Sequence, residues 1–316
     1  MVDSPFEFEL YRLNVIPTEE PLFEAMHPSI EGDDNIMRVL ERATDSRFKS
    51  RTEGERATYE WVLRAYHIVS EVSDPRGTVA TVTLARSLIQ QRGFIVTDND
   101  IVEGESEADP PLAATVKMFF YMARHLVAVE HVSAVTGTGR WRSALQEILE
   151  FAIIDLEMSG RLELEPMPKE EEIMRAFRSF ERLSRLRVLL RLPNPELSRY
   201  SRQLYGEMQR GAVAEYLQDM KNPKGLNKDA GKLPFAAAEI AQAGYKKGEV
   251  KMEGVRDGEQ TTVHIGNRAA RGRVGQLRDF VRGIGANARA RETQRAVSAI
   301  LDEIDRVATP PDGAEE

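Results

Sequence analysis

The sequence predicts an α+β fold in which a mainly antiparallel N-terminal sheet is followed by a β-α-β-α segment, a hairpin and C-terminal helices. Apolar and polar residues alternate along several short segments, which is typical of half-buried strands. Helical spacing takes over near residue 141, and Asp257-Gly258 predicts a hairpin turn. With 316 residues, 41% of them hydrophobic, the chain can bury a large core.

The N-terminal part is predicted to be rich in strands. Phe6–Ile16 begins with alternating apolar and acidic residues, and the alternation changes phase near Tyr11, which predicts a bulge or bend. The acidic residues 103–109 lead into Pro110-Pro111 and are predicted to form a loop. Further strands are expected at residues 58–69 and after Gly77. Residues 116–135 are expected to form a buried hairpin, with a buried helix as the alternative that periodicity leaves open.

The C-terminal part mixes helices and strands. Residues 141–156 carry apolar side chains at the spacing of an amphipathic helix, which ends the N-terminal part. The elements expected after it are a strand at 161–167, a helix at 169–181, a strand at 185–192, a helix at 194–219, a loop at 221–234, a helix at 235–245, a hairpin at 248–265 and helical structure to residue 307 that breaks near Gly283 and Gly285.

These elements suggest a division of the chain. We expect an acidic mixed α+β domain at residues 1–160, an arginine-rich α+β domain at residues 161–307 and a disordered tail at residues 308–316. The boundary rests on the change of composition near residue 160.

Composition limits the classes of protein to consider. The chain has no cysteine, which excludes disulfides, thiolate metal sites and a cysteine nucleophile and fits a reducing compartment. Its first residues lack the pattern of a signal peptide, and no apolar run is long enough to span a membrane. We therefore expect a soluble cytoplasmic protein that is not embedded in a membrane.

Charge is distributed unevenly along the chain. The net charge is -8, yet residues 1–110 hold 22 acidic and 11 basic residues, whereas residues 175–295 hold 25 basic and 13 acidic ones. Such asymmetry indicates a polyanionic partner. The alternative is that the two regions neutralise each other, within the chain or across a subunit interface.

Two groups of arginines give the charge a pattern. On one helix, Arg271, Arg278, Arg282 and Arg289 would share a face and follow several phosphates. A second group comprises Arg175, Arg178 and Arg182, predicted on a helical face, and Arg185, Arg187 and Arg191, predicted on a strand face. Planar guanidinium groups bind phosphate with two hydrogen bonds, which favours backbone recognition.

Motifs for catalysis are weak. Residues 225–232 resemble a phosphate-binding loop superficially, but the glycine spacing is wrong and Leu233 replaces the magnesium-binding hydroxyl. Glu249 and Lys251 match half of a magnesium-dependent nuclease site, for which Asp229 or Asp257 would have to supply the partner. The Arg124–His131 spacing resembles the pair of helical HEPN ribonucleases, but its segment has the character of a strand.

These observations favour a protein that binds the backbone of DNA or RNA without reading sequence, with no cofactor and no metal. Catalysis is not required for that role. Two alternatives stay open. One is an interaction protein or homo-oligomer whose charged halves meet, and the other is the magnesium-dependent nuclease.

Overall fold

The computed structural model describes residues 4–16, 27–70, 76–98, 100–107, 109, 111–191, 202–211, 213, 215–285 and 290–308. It confirms the α+β fold, with 29% helix and 42% strand. Strands are β1 (Phe6–Ile16), β2 (Ser50–Glu53), β3 (Ala57–Ile68), β4 (Val79–Val96), β5 (Ile101–Glu107), β6 (Ala113–Tyr121), β7 (Leu126–Glu130), β8 (Arg161–Pro166), β9 (Arg182–Arg191), β10 (Glu215–Lys221), β11 (Lys246–Arg256), β12 (Glu259–Ile265) and β13 (Arg271–Val274). Helices are α1 (Asp33–Arg42), α2 (Ser133–Thr136), α3 (Arg140–Asp155), α4 (Glu172–Ser179), α5 (Arg202–Arg210), α6 (Leu233–Gln242), α7 (Arg278–Arg282) and α8 (Arg291–Val307).

Two antiparallel sheets organise the described residues. The larger one runs β13-β1-β7-β6-β4-β3-β2, with β5 paired to β4 and β8 paired to β1. The smaller one runs β10-β9-β11-β12. Its β11–β12 hairpin turns where the sequence predicts, because Asp257 and Gly258 both have the positive φ that the tight hairpin turn requires.

Strand β1 is covered on both faces. Phe6, Phe8 and Leu10 pack with α7 and α8, whereas Tyr11 and Leu13 pack with α1 and α3 on the opposite side. The bulge predicted near Tyr11 is wrong, since β1 keeps a regular register with β7 and β8. The change of phase in the sequence instead reflects burial on both sides of the strand.

Helix α3 confirms the amphipathic helix predicted from residue 141. Its buried side includes Trp141, Leu145, Ile148 and Ala152. The Trp141 ring meets Tyr11 edge to face, with 5.2 Å between ring centroids. Burying a large apolar side chain contributes about 1.5–3 kcal/mol, so this row fixes α3 firmly to the larger sheet.

The smaller sheet has one covered face. Ile173 and Phe177 of α4 and Ala237 of α6 pack against Val188 and Met252 of the strands in a third apolar cluster. The opposite face carries the charged side chains of β9, β10 and β11, whose pairing is described below.

Several predicted elements have a different structure. Residues 215–221 form β10 rather than the end of a helix, and only Arg202–Arg210 is helical there, with residues 192–201 outside the described ones. Pairing with β9 buries Gln218, a polar residue that is expected on the surface from its chemical type alone. The acidic residues 103–107 belong to β5, an exposed strand on which glutamates stay in water.

The two sheets do not divide at residue 160. Strands β8 and β13 follow that position in the chain, yet both pair with β1 in the larger sheet. The larger sheet thus contains strands from both sides of the predicted boundary, and residues 309–316 of the predicted tail are outside the described residues. Among the helices that the structure describes, none combines the length and apolar character needed to cross a membrane.

Candidate functional site

The predicted helical row of arginines is dispersed. Arg271 lies on β13, Arg278 and Arg282 lie on the short helix α7, and Arg289 falls outside the described residues. Residues 271–274 are extended because they pair with β1, where Gly272 lies over the Phe8 ring and an added Cβ would come 2.2 Å from it. A single helical face through these arginines is therefore wrong.

Arg271 is bound to an acidic residue of β1. Its guanidinium is 3.0 Å from a Glu9 carboxylate oxygen, and the same carboxylate accepts a hydrogen bond from the Tyr11 hydroxyl at 2.8 Å and lies 3.1 Å from His131 Nδ1. Burial and the neighbouring Glu9 raise the pKa of Tyr11. Arg271 thus belongs to a local polar cluster, although its own side chain is largely exposed.

Arg278 and Arg282 converge on one buried carboxylate. Glu130 is 1% exposed, and one of its oxygens lies 3.1 Å from Arg278 Nε and 2.7 Å from an Arg282 terminal nitrogen. Its other oxygen accepts the backbone N–H of Lys117 at 3.1 Å. The Lys117 ammonium donates to the Ile284 carbonyl at 2.9 Å, and burial lowers its pKa to about 8 against the opposing effect of Glu130. These groups fasten α7 to the sheet.

The predicted strand face of β9 is mostly neutralised. Arg191 is 2% exposed and bound to Glu163 at 2.5 Å and Glu215 at 2.9 Å, so its prediction as an accessible phosphate contact is wrong. It is buried because the end of β9 approaches β8. Arg185 is similarly bound between carboxylates of β10 and β11, whereas Arg187 is exposed and has no carboxylate partner among the described residues.

The remaining predicted arginines lie next to a lysine-containing loop, the basic loop, formed by residues 222–232 between β10 and α6. Arg175 and Arg178 lie on α4, and Arg182 opens β9 rather than ending a helix. The Arg182 stem packs on Gly225, and the Lys228 ammonium donates to the carbonyls of Arg178 and Phe180. The loop therefore lies against the end of α4. We call the resulting cations the basic surface: Arg175, Arg178, Arg182, Lys224, Lys228 and Lys232.

The catalytic candidates do not assemble. Glu249 is bound to His264 at 3.0 Å and Asn267 at 2.5 Å, and the Lys251 ammonium pairs with Glu253 at 2.6 Å. In the part of the chain that the structure describes, no three His, Asp or Glu side chains are placed to hold a metal ion.

The arginine and histidine of the HEPN-like spacing have separate partners. Arg124 binds Asp305 and the Ala308 carbonyl, whereas His131 faces Glu9 and Thr136. The intervening segment holds β7 and not a helix, as its strand-like composition predicts.

One cluster escaped the sequence analysis. Two glutamates of β8, Glu163 and Glu165, lie beside three cations. These cations are Arg12, Arg191 and Lys246, and each of them is at most 2% exposed. Burial raises the pKa of Glu165, opposed by Lys246, and lowers that of Lys246 to about 8. The alternating Leu-Glu pattern of β8 is typical of a strand whose glutamates face solvent. The cluster becomes apparent only when the fold brings Lys246 of β11 next to these glutamates.

Comparison with known proteins gives one family. A family model described as "Domain of unknown function (DUF4747)" matches residues 95–265, more than half of the chain. The matched part runs from the end of β4 to β12 and includes the basic surface, whereas β1, β13, α7 and α8 lie outside it. No curated protein matches the chain.

Proposed function

The chain belongs to the DUF4747 family, whose description names no activity, and we propose that it is a cytoplasmic protein that binds the nucleic-acid backbone through the basic surface, without reading sequence. The observation that carries this proposal is the contact of the basic loop with the end of α4. That contact gathers cations that lie about fifty residues apart in the chain.

Free guanidinium groups support the proposal. Arg175 and Arg182 are exposed, and neither has a carboxylate partner in the described ranges. Each can present its planar fork to a phosphate with two hydrogen bonds. Lys224 and Lys232 are also exposed, and they add point charges from the same loop that contacts α4.

The ion pair within the basic surface is weak enough to exchange. Arg178 lies 3.3 Å from Glu171, and both side chains are 56% exposed. Exposed pairs of this kind contribute about 0–1 kcal/mol, so a phosphate can replace the glutamate at little cost.

Part of the positive charge of residues 175–295 is neutralised within the fold. Arg271 pairs with Glu9 of the acidic region, whereas Arg278 and Arg282 bind Glu130, which lies outside residues 1–110. In the basic surface, Arg175, Arg182, Lys224 and Lys232 are exposed and have no carboxylate partner among the described residues. Nucleic-acid binding is therefore expected to be weaker than the sequence charge suggests.

Salt dependence tests the proposal. The variant Arg175→Ala/Arg182→Ala/Lys224→Ala in the full chain is expected to weaken binding of duplex DNA and of single-stranded RNA equally for all sequences. The slope of log affinity against log salt should become shallower by about 2 to 3, because each lost phosphate contact contributes about 0.9. Fluorescence anisotropy at several salt concentrations measures both quantities.

A charge-matched control separates a site from net charge. The variant Arg47→Ala/Lys49→Ala/Arg51→Ala removes three exposed cations that lie far along the chain from the basic surface. It should bind as wild type does. Wild-type protein that fails to bind either nucleic acid, or a control that loses as much affinity as the test variant, contradicts the proposal.

An exposed arm favours a second candidate function, self-association. At the far end of β4, residues 93–96 pair with residues 101–104 of β5 and with no other strand among the described residues. Phe94, Val96 and Ile101 lie on one face of this ribbon and are 62–77% exposed. Ile95 covers Gly104 on the other face. An isolated two-stranded ribbon is marginally stable, and joining two copies through the apolar faces would bury both.

Light scattering after size exclusion tests self-association. Wild-type protein is expected to be dimeric at high concentration, and Phe94→Ser/Val96→Ser should raise the dissociation constant by more than about tenfold through loss of apolar burial. Gln91→Ser, an exposed change at the base of the arm, should leave the dimer intact. A monomer at every concentration contradicts this function.

A further inference from the structure

A pocket opens between α3 and β8. Its volume is about 170 Å³. Its polar lining comprises Arg142, Ser143 and Gln146 of α3 and Glu163 and Glu165 of β8. Gly139, which directly precedes α3, also lines the pocket. Leucines of the same two elements form its apolar wall. The pocket is separate from the basic surface.

Arg142 is the unusual member of this lining. Its side chain is half-buried, and it has neither a carboxylate nor another hydrogen-bond partner among the residues that the structure describes. It lines the same pocket as Glu163 and Glu165, and its charge opposes the burial that raises the pKa of Glu165. A partly desolvated guanidinium gains most from an oxyanion that accepts both of its parallel hydrogen bonds.

The acidic residues of the lining already have cationic partners. Glu163 is 2.5 Å from Arg191 and 2.9 Å from Arg161, and Lys246 acts on Glu165. Arg142 is the cation of this lining, and no carboxylate of the described residues lies within ion-pair distance of it. The N-terminal end of α3, a helix of 16 residues with no side-chain cap, adds to the positive potential on this side of the pocket.

We propose that this pocket binds a small oxyanion, a phosphate or a short carboxylate, with the Arg142 guanidinium as its principal contact. Ser143 provides a hydroxyl donor, and the free amide oxygen of Gln146 faces a ligand hydroxyl or water, since its amide nitrogen donates to Glu150. A cavity of about 150 Å³ holds a six-membered ring, so the ligand has no more than roughly ten heavy atoms.

Ligand-induced stabilisation tests the site in the full chain. Inorganic phosphate and succinate are titrated separately at constant ionic strength, with chloride as the third arm, while the melting temperature is followed. Wild-type protein is expected to show saturable stabilisation by phosphate or by succinate and none by chloride. The arm that saturates at the lower concentration identifies the oxyanion class. Saturation by neither oxyanion overturns the proposal.

Matched variants assign the contact. Arg142→Gln should weaken the binding at least tenfold, and Arg142→Lys should fall between the two, because a lysine keeps the charge and loses the fork. Arg140→Gln removes a neighbouring exposed arginine that does not line the pocket and should bind as wild type does. Equal losses in Arg140→Gln and Arg142→Gln, or full binding by Arg142→Gln, overturn the proposal. If Arg142→Gln without ligand melts at a lower temperature than wild type, the test rests on Arg142→Lys. Binding by Arg142→Lys as tight as that of wild type would then overturn the proposal.

Discussion

Glu130→Ala is expected to lower the free energy of unfolding by about 3–5 kcal/mol, the cost of removing one member of a buried charged group. The carboxylate is 1% exposed and binds Arg278, Arg282 and the Lys117 backbone. Its loss leaves two partly buried guanidinium groups facing each other without an anion. Urea unfolding followed by circular dichroism measures the change.

Two further variants show whether the charge itself is responsible. Glu171→Ala removes a carboxylate whose arginine pair is exposed on both sides, and it should change stability by less than about 1 kcal/mol. The triple variant Glu130→Ala/Arg278→Ala/Arg282→Ala should recover part of the lost stability, because the two guanidinium groups no longer face each other without an anion. A Glu130→Ala protein as stable as wild type would show that α7 is held by apolar packing alone.

The same ion pairs change what is expected of Arg278 and Arg282, which the sequence predicts to contact phosphate. Charge reversal at both positions would place two carboxylates beside Glu130, so we expect unfolding rather than a selective loss of nucleic-acid binding. A folded double-reversal variant with weakened binding would instead return these arginines to the functional surface.

Elements with a strong local pattern could be predicted from the sequence. Helix α3 has apolar residues at helical spacing, the hairpin β6–β7 is dense in β-branched residues, and β11–β12 turns at Asp257-Gly258. In each case the residues that decide the structure lie within about twenty positions of one another, where periodicity and turn chemistry act.

Elements decided by distant partners could not be predicted. β13 is extended because Gly272 fits over Phe8, 264 positions earlier, and β10 is a strand because β9 offers its edge. The same limit applied to the site. Counting arginines showed that positive charge is present, but the carboxylates that bind Arg191 and Arg278 follow from tertiary packing, which is invisible to local spacing.

Lys246 should make stability rise with pH. Its side chain is fully buried, its ammonium donates to the Gly248 carbonyl at 2.9 Å, and burial lowers its pKa from 10.5 to about 8 in the folded protein. Between these two values the unfolded chain binds the proton and the folded chain does not. Raising the pH through this window therefore favours the folded state, and the advantage is absent below about pH 8, where both states are protonated.

Lys246→Met removes this titration. From pH 8 to pH 10.5 the unfolding free energy of wild type should gain roughly 3 kcal/mol relative to the variant, at about 1.4 kcal/mol per pH unit. Lys117 is common to both proteins, so its contribution cancels in the difference. Lys247→Met, whose lysine is 43% exposed, keeps the buried Lys246, so its stability should rise with pH as that of wild type does. Parallel curves for Lys246→Met and wild type in urea unfolding across this range would mean that water reaches the Lys246 ammonium in the folded protein.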